Sequence, residues 1–184
     1  MTASSRPIAL LGFMGCGKTT VGKILAKKLG WNFQDLDAVI SDKEGIPIPE
    51  IFSRFGEEYF RMRESEALQY LACHTRTVLS TGGGLPAQEE NWKILDEFYL
   101  TVYLKCHFDI LYQRIRSDRN RPLTLMYAGK DKLFELYRKR MPYYERARVT
   151  IDTMKGTPQH IAEEIITRAH LAGSTQGKNI PGCH

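Results

Sequence analysis

Short apolar runs and longer helical stripes alternate along this chain. Residues 7–11, Pro-Ile-Ala-Leu-Leu, form an unbroken apolar run ending at a glycine and predict a buried strand. Over residues 17–29, Val21, Ile24, Leu25 and Leu29 share one helical face, and Gly30 offers a left-handed stop. Residues 31–36 are the next candidate strand. Pro49 suits the first turn of a helix carrying Ile51, Phe52 and Phe55, and a further helix is expected over about 57–73. Residues 77–80 are strand-like and run into Gly82-Gly83-Gly84, and 98–104 are rich in β-formers. Residues 109–117 and 130–140 read as helices, and 149–151 as a last short strand. Ile161, Ile165, Ile166 and Ala169 mark one face of a helix over 158–171. Alternating strands and helices predict an α/β fold whose mostly parallel sheet is covered on both faces. Ligands in such folds sit beyond the carboxyl ends of the strands. Residues 1–172 are expected to form a single domain, and 173–184, lacking any packing pattern, a disordered tail.

Composition narrows the class. At 42% apolar and 26% charged residues, the 184-residue chain has an ordinary globular balance. No apolar run approaches the roughly 20 residues that a membrane span needs, and the N-terminus lacks the apolar core of a signal peptide. The expectation is therefore a cytoplasmic protein with no membrane partner. Four cysteines lie far apart without a C-x-x-C pair, so neither zinc nor a redox motif is suggested. The net charge of +5 is uneven: residues 105–148 hold 12 Lys or Arg against 5 Asp or Glu. Such a segment suits nucleic acid or, equally, a site for phosphates and carboxylates. No RNA- or DNA-binding module pattern accompanies it, so a nucleic-acid partner is not expected.

Residues 12–19, Gly-Phe-Met-Gly-Cys-Gly-Lys-Thr, match G-x-x-x-x-G-K-[ST] without a mismatch, between a predicted strand and a predicted helix. The glycines let the backbone curl its N–H groups toward phosphate oxygens, and the helix N-terminus adds its positive end. Lys18 can bridge the β- and γ-phosphates of a nucleotide, and Thr19 can place its hydroxyl on Mg²⁺. A guanine-reading N-K-x-D is absent, and Asp42-Lys-Glu-Gly45 matches D-x-x-G only loosely, which argues against a GTPase. No long apolar strand ends in a motor-type aspartate.

Three further features sit at strand ends or on a helix. In Asp35-Leu-Asp37, alternate residues of an extended segment would face one way. One carboxylate could support Mg²⁺ through water while the other orients an acceptor hydroxyl or takes its proton; a solvated strand end fits the same residues. Arg61 and Glu64 are i, i+3 neighbours, which suits either a carboxylate clamp or a surface ion pair. Ser80-Thr-Gly-Gly-Gly84 allows close backbone approach to a ligand, or is a flexible turn.

Together these motifs resemble the shikimate kinase family over about residues 7–168, with the phosphate loop, Asp35-x-Asp37, Phe60-Arg61, Gly82-Gly83-Gly84, Arg121-Pro122-Leu123 and Arg140-x-x-x-Tyr144 in the family's order. The resemblance implies a three-layer α/β/α fold of P-loop kinase type, with a five-stranded parallel sheet and a mobile lid at about 115–130. It implies transfer of the γ-phosphate of ATP, with Mg²⁺, to the 3-hydroxyl of shikimate, by a monomer. The implied catalytic residues are Lys18, Asp37 and Arg121. ATP would contact Gly15, Cys16, Gly17, Lys18, Thr19, Thr20, Arg114, Arg121 and Pro158. Shikimate would contact Asp37, Arg61, Gly82, Gly83, Gly84 and Arg140, within an acceptor region that spans about 35–64. Thr19 would hold Mg²⁺ directly and Asp35 through water. Cys16 and Thr19 stand where other members often carry Ser. A gluconate-type kinase and a nucleotide-binding switch without an acceptor are the competing readings.

Overall fold

A computed structural model describes residues 6–117 and 129–173, the side chains of 170–173 excepted. Five parallel strands form one sheet in the order β2-β3-β1-β4-β5. The strands are β1 (Ile8–Leu11), β2 (Asn32–Asp35), β3 (Thr77–Ser80), β4 (Leu100–Lys105) and β5 (Val149–Asp152). Seven α-helices join them among the described residues: α1 (Lys18–Leu29), α2 (Leu36–Glu44), α3 (Ile48–Ala72), α4 (Glu89–Phe98), α5 (Phe108–Ser117), α6 (Lys130–Tyr144) and α7 (Pro158–Gly173). Every residue of β1 and of β3 is buried, so both faces of the sheet are covered and the three-layer expectation holds.

Local chemistry accounts for the element ends. Gly17 and Gly30 bracket α1 with φ of 97° and 65°, and the Gly30 N–H closes the last turn onto the Ala26 and Lys27 carbonyls. Helix α3 is two helices joined at Gly56 (φ 82°, ψ 178°), which agrees with the separate helices read around 49–55 and 57–73. Two buried side chains behind the sheet are paired: Tyr99 Oη donates to the Leu68 carbonyl at 2.8 Å and Trp92 Nε1 to that of Pro86 at 2.7 Å.

Two helices, α2 and α4, were not evident from the pattern, and α2 corrects the reading of 31–36. The strand stops at Asp35, which caps α2 by accepting the Asp37 N–H at 3.2 Å. Asp37 therefore sits in a first helical turn, not two positions along a strand from Asp35. The reason is burial: Leu36 and Ile40, one turn apart, are 0% and 1% exposed. Edge strand β2 is itself largely polar.

Because β1 lies between β3 and β4, the chain moves one way from it through β2 and β3 and the other way through β4 and β5. The loop after β1 stands at this reversal, where open α/β sheets bind ligands. Leu25, on the buried stripe of α1, is fully covered. Leu25→Ala is expected to cost about 2–5 kcal/mol, read as a lower urea midpoint at an unchanged m-value.

Candidate functional site

One cleft of about 890 Å³ lies across the carboxyl ends of the strands. Every residue read from the sequence as a site residue lines it, with one exception: Arg121, together with most of the proposed lid, lies outside the described residues.

The phosphate loop spans the gap between β1 and α1 with Gly12, Gly15 and Gly17 at φ of 142°, 81° and 97°. Space as well as φ demands glycine at position 12, where a Cβ would come within 2.8 Å of Cys16 Sγ and 2.9 Å of the Leu104 carbonyl. Lys18 Nζ donates to the carbonyls of Gly12 (2.8 Å) and Phe13 (3.2 Å), so the ammonium lies across the loop. Thr19 Oγ1 donates to Asp35 Oδ2 at 3.1 Å, which brings the expected metal-side pair together. From α5, Arg114 Nη1 donates to the Gly15 carbonyl at 3.1 Å.

The donors at Thr19 and Asp35 are hard oxygens, which suit Mg²⁺. No group of three or more His, Cys, Asp or Glu side chains able to hold a metal exists among the described residues.

Across the cleft, four elements converge. Asp37 comes from α2, Arg61 and Glu64 from α3 beyond the Gly56 break, the glycine triplet from the end of β3, and Arg140 from α6. None of the three glycines has a positive φ, so at Gly82 and Gly84 what glycine supplies is room. A Cβ on Gly84 would stand 2.6 Å from Arg61 Nη1 and one on Gly82 2.6 Å from Glu64 Oε1; on Gly83 it would reach Arg140 Nη1 at 3.5 Å. Gly82 and Gly84 thus let Glu64 and Arg61 close on the main chain, while Arg140 lies at ordinary contact distance from Gly83. Tyr144, one turn past Arg140 and fully buried, donates to the Gly83 carbonyl at 2.6 Å and ties α6 to the turn.

Arg61 is held on two sides. Its Nη1 donates to Glu64 Oε2, and its Nη2 donates to Glu57 Oε1 at 3.0 Å. Burial alone would depress the guanidinium, but Glu64 and Glu57 keep it above its ordinary value. Glu64 is 1% exposed. Burial pushes its carboxyl up to about 7; Arg61 pulls it down, Asp37 raises it further and Arg140 opposes that. Sequence reasoning treated Glu64 only as a brace for Arg61 and missed it as a cleft residue. The signal was available: Phe60, Glu64, Ala67, Leu68 and Leu71 form one buried stripe, and a glutamate on that stripe is out of place. Phe52 and Thr153, also missed, line the cleft without a charge to mark them.

A phosphate loop facing a pocket with two arginines, on this sheet order, defines a P-loop phosphotransferase acting on small molecules. The shikimate kinase family model matches residues 14–170. The chain belongs to the shikimate kinase family. It is 43% identical over 159 residues to the shikimate kinase of Thermodesulfovibrio yellowstonii, covering 86% of this chain and 92% of that one. It is 39% identical over 165 residues to that of Geobacter sulfurreducens, covering 90% and 91%. Among solved structures, the Acinetobacter baumannii shikimate kinase in complex with shikimate superposes with a TM-score of 0.86 at 38% identity, covering 95% of this chain and 97% of that one. A Sinorhizobium meliloti gluconokinase, at 20% identity and a TM-score of 0.55, shares the fold.

Glu64 gives the fold a pH dependence of definite sign. Its folded value near 7 lies above the ordinary 4.5, so between those values the folded protein holds the proton that the unfolded chain has released. The Glu64 contribution is complete below about pH 4.5 and is lost as pH rises through 7. Glu64→Gln removes this loss. Urea denaturation at pH 5 and pH 8 is expected to show a gain in relative stability for the variant at pH 8.

Proposed function

We propose that the chain transfers the γ-phosphate of ATP to the 3-hydroxyl of shikimate. The observation that carries this reading is the acceptor end of the cleft: Arg61 and Arg140 beside Asp37, opposite the phosphate loop. Two guanidiniums suit a carboxylate, and one carboxylate suits ring hydroxyls. The likeness to a shikimate kinase in complex with shikimate supports the same acceptor.

In this reading Arg61 and Arg140 grip the acceptor carboxylate, and the triplet Gly82–Gly84 lets the ring approach the main chain. Asp37 orients the hydroxyl and takes its proton as the oxygen attacks the γ-phosphorus in line. Lys18 and the N–H groups of Gly15, Cys16, Gly17, Thr19 and Thr20 neutralise the phosphates. Arg114 and Pro158 border the base, and Arg121 enters the catalytic set on resemblance alone. Mg²⁺, when bound, offsets phosphate charge; Thr19 would hold it and Asp35 would support it through water. Residues 1–172 act as one cytoplasmic, monomeric domain. No helix among the described residues is long and apolar enough to cross a membrane.

ADP release with ATP and Mg²⁺ should depend on shikimate, with phosphoshikimate seen by mass, and gluconate should not substitute. Release with gluconate alone would overturn the acceptor. Arg61→Ala is expected to raise KM for shikimate about 10- to 100-fold. Lys18→Ala is expected to lower kcat by about 10²- to 10³-fold with little change in that KM.

A further inference from the structure

Glu64 has one oxygen engaged and one idle. Oε2 accepts from Arg61, whereas Oε1 is buried without a hydrogen-bond partner. That idle oxygen is packed against the Gly82 turn behind the acceptor end of the cleft: the Gly82 Cβ position that lies 2.6 Å from it is also 3.3 Å from Asp37 Oδ1. A carboxylate oxygen can only accept, so a lone pair held there without a donor is costly. The same oxygen, once protonated, donates.

The charges around it are already crowded. Asp37 faces Glu64 from α2 and Arg140 from α6; on α3 itself Arg61 is shared between Glu64 and Glu57, and the β3 turn contributes only Gly82 backbone. The three carboxylates therefore stand against two guanidiniums. An acceptor that brings its own carboxylate to Arg61 and Arg140 adds a further negative charge and draws Arg61 away from Glu64. Both changes favour neutral Glu64.

We propose that binding of the carboxylated acceptor is coupled to uptake of one proton by Glu64, which turns the idle Oε1 into a neutral hydroxyl beside Asp37 at the Gly82 turn. The proton comes from solvent, and no bond of the acceptor is broken. The inference rests on the acceptor reading above. Burial already pushes this carboxyl up to about 7, so the added charge acts on a group poised near neutrality.

The test is calorimetric titration of shikimate into the intact protein at pH 8, in buffers of different ionisation heat. The slope of observed heat against buffer heat counts protons. The native protein is expected to take up close to one proton per shikimate, and its Kd to weaken toward about tenfold per pH unit between pH 7 and 9. Glu64→Gln, a neutral mimic of the protonated form, is expected to bind with no uptake and a flat Kd. Native binding without uptake, a count that needs no variant, overturns the coupling and leaves the acceptor reading standing. Unchanged uptake in Glu64→Gln moves the proton elsewhere and also overturns it. Absence of shikimate binding at every pH removes the acceptor reading and this inference with it.

Discussion

A parallel sheet buried on both faces can offer polar groups to a ligand only at its strand ends. In this molecule β1 and β3 carry no exposed residue, so the sheet faces are closed to chemistry. The carboxyl ends of all five strands point one way, and the loop after β1 falls where the chain order reverses. Phosphate-binding backbone, acidic side chains and arginines therefore collect along one rim. The packing of the sheet and the position of the cleft are one constraint seen twice.

Within the cleft, absence of side chains matters as much as their presence. Gly82 and Gly84 stand where a Cβ would collide with Glu64 and Arg61. A glycine-rich turn is commonly read as flexible. Here it is packed, with Tyr144 fastening the Gly83 carbonyl and charged groups filling the space that side chains would take. Pairing brings Arg61 close to the main chain, and its pairing with Glu64 is what brings a carboxylate into the apolar interior.

Strands β1, β3 and β4 were legible because buried strands in such a sheet are nearly continuous apolar runs, and the phosphate loop because its glycines are dictated by geometry; the polar edge strand β2 was legible only from its place in the strand–helix alternation. Helix α2 was hidden because Asp35 and Asp37 looked like a strand continuing, whereas one caps the helix and the other opens it. Helix α4 carries a readable period: Trp92, Leu95 and Phe98 recur at helical spacing, with Trp92 and Leu95 buried and Ile94 and Phe98 packed on the core, but Phe98 also opens the run of β-formers that becomes the next strand. Spacing left Arg61 open between a clamp and a surface ion pair, and Arg140 entered only through the family resemblance; that they meet across one cleft depends on other elements, which local spacing does not carry. Glu64 was the most informative misfit in the sequence, a charge on an apolar stripe, and its significance depends on burial that a pattern does not quantify.

The break at Gly56 divides α3 into two independently oriented pieces. The first half carries Ile48 and Phe52, which give the cleft an apolar wall; the second carries Arg61 and Glu64, which pair with each other at its edge. A continuous helix would lock these two surfaces into one register, so that any drift in wall shape would twist the guanidinium from its seat. The break sets the apolar wall and the paired charges on separate helical pieces, so a substitution in the first piece need not disturb the ion pairs of the second.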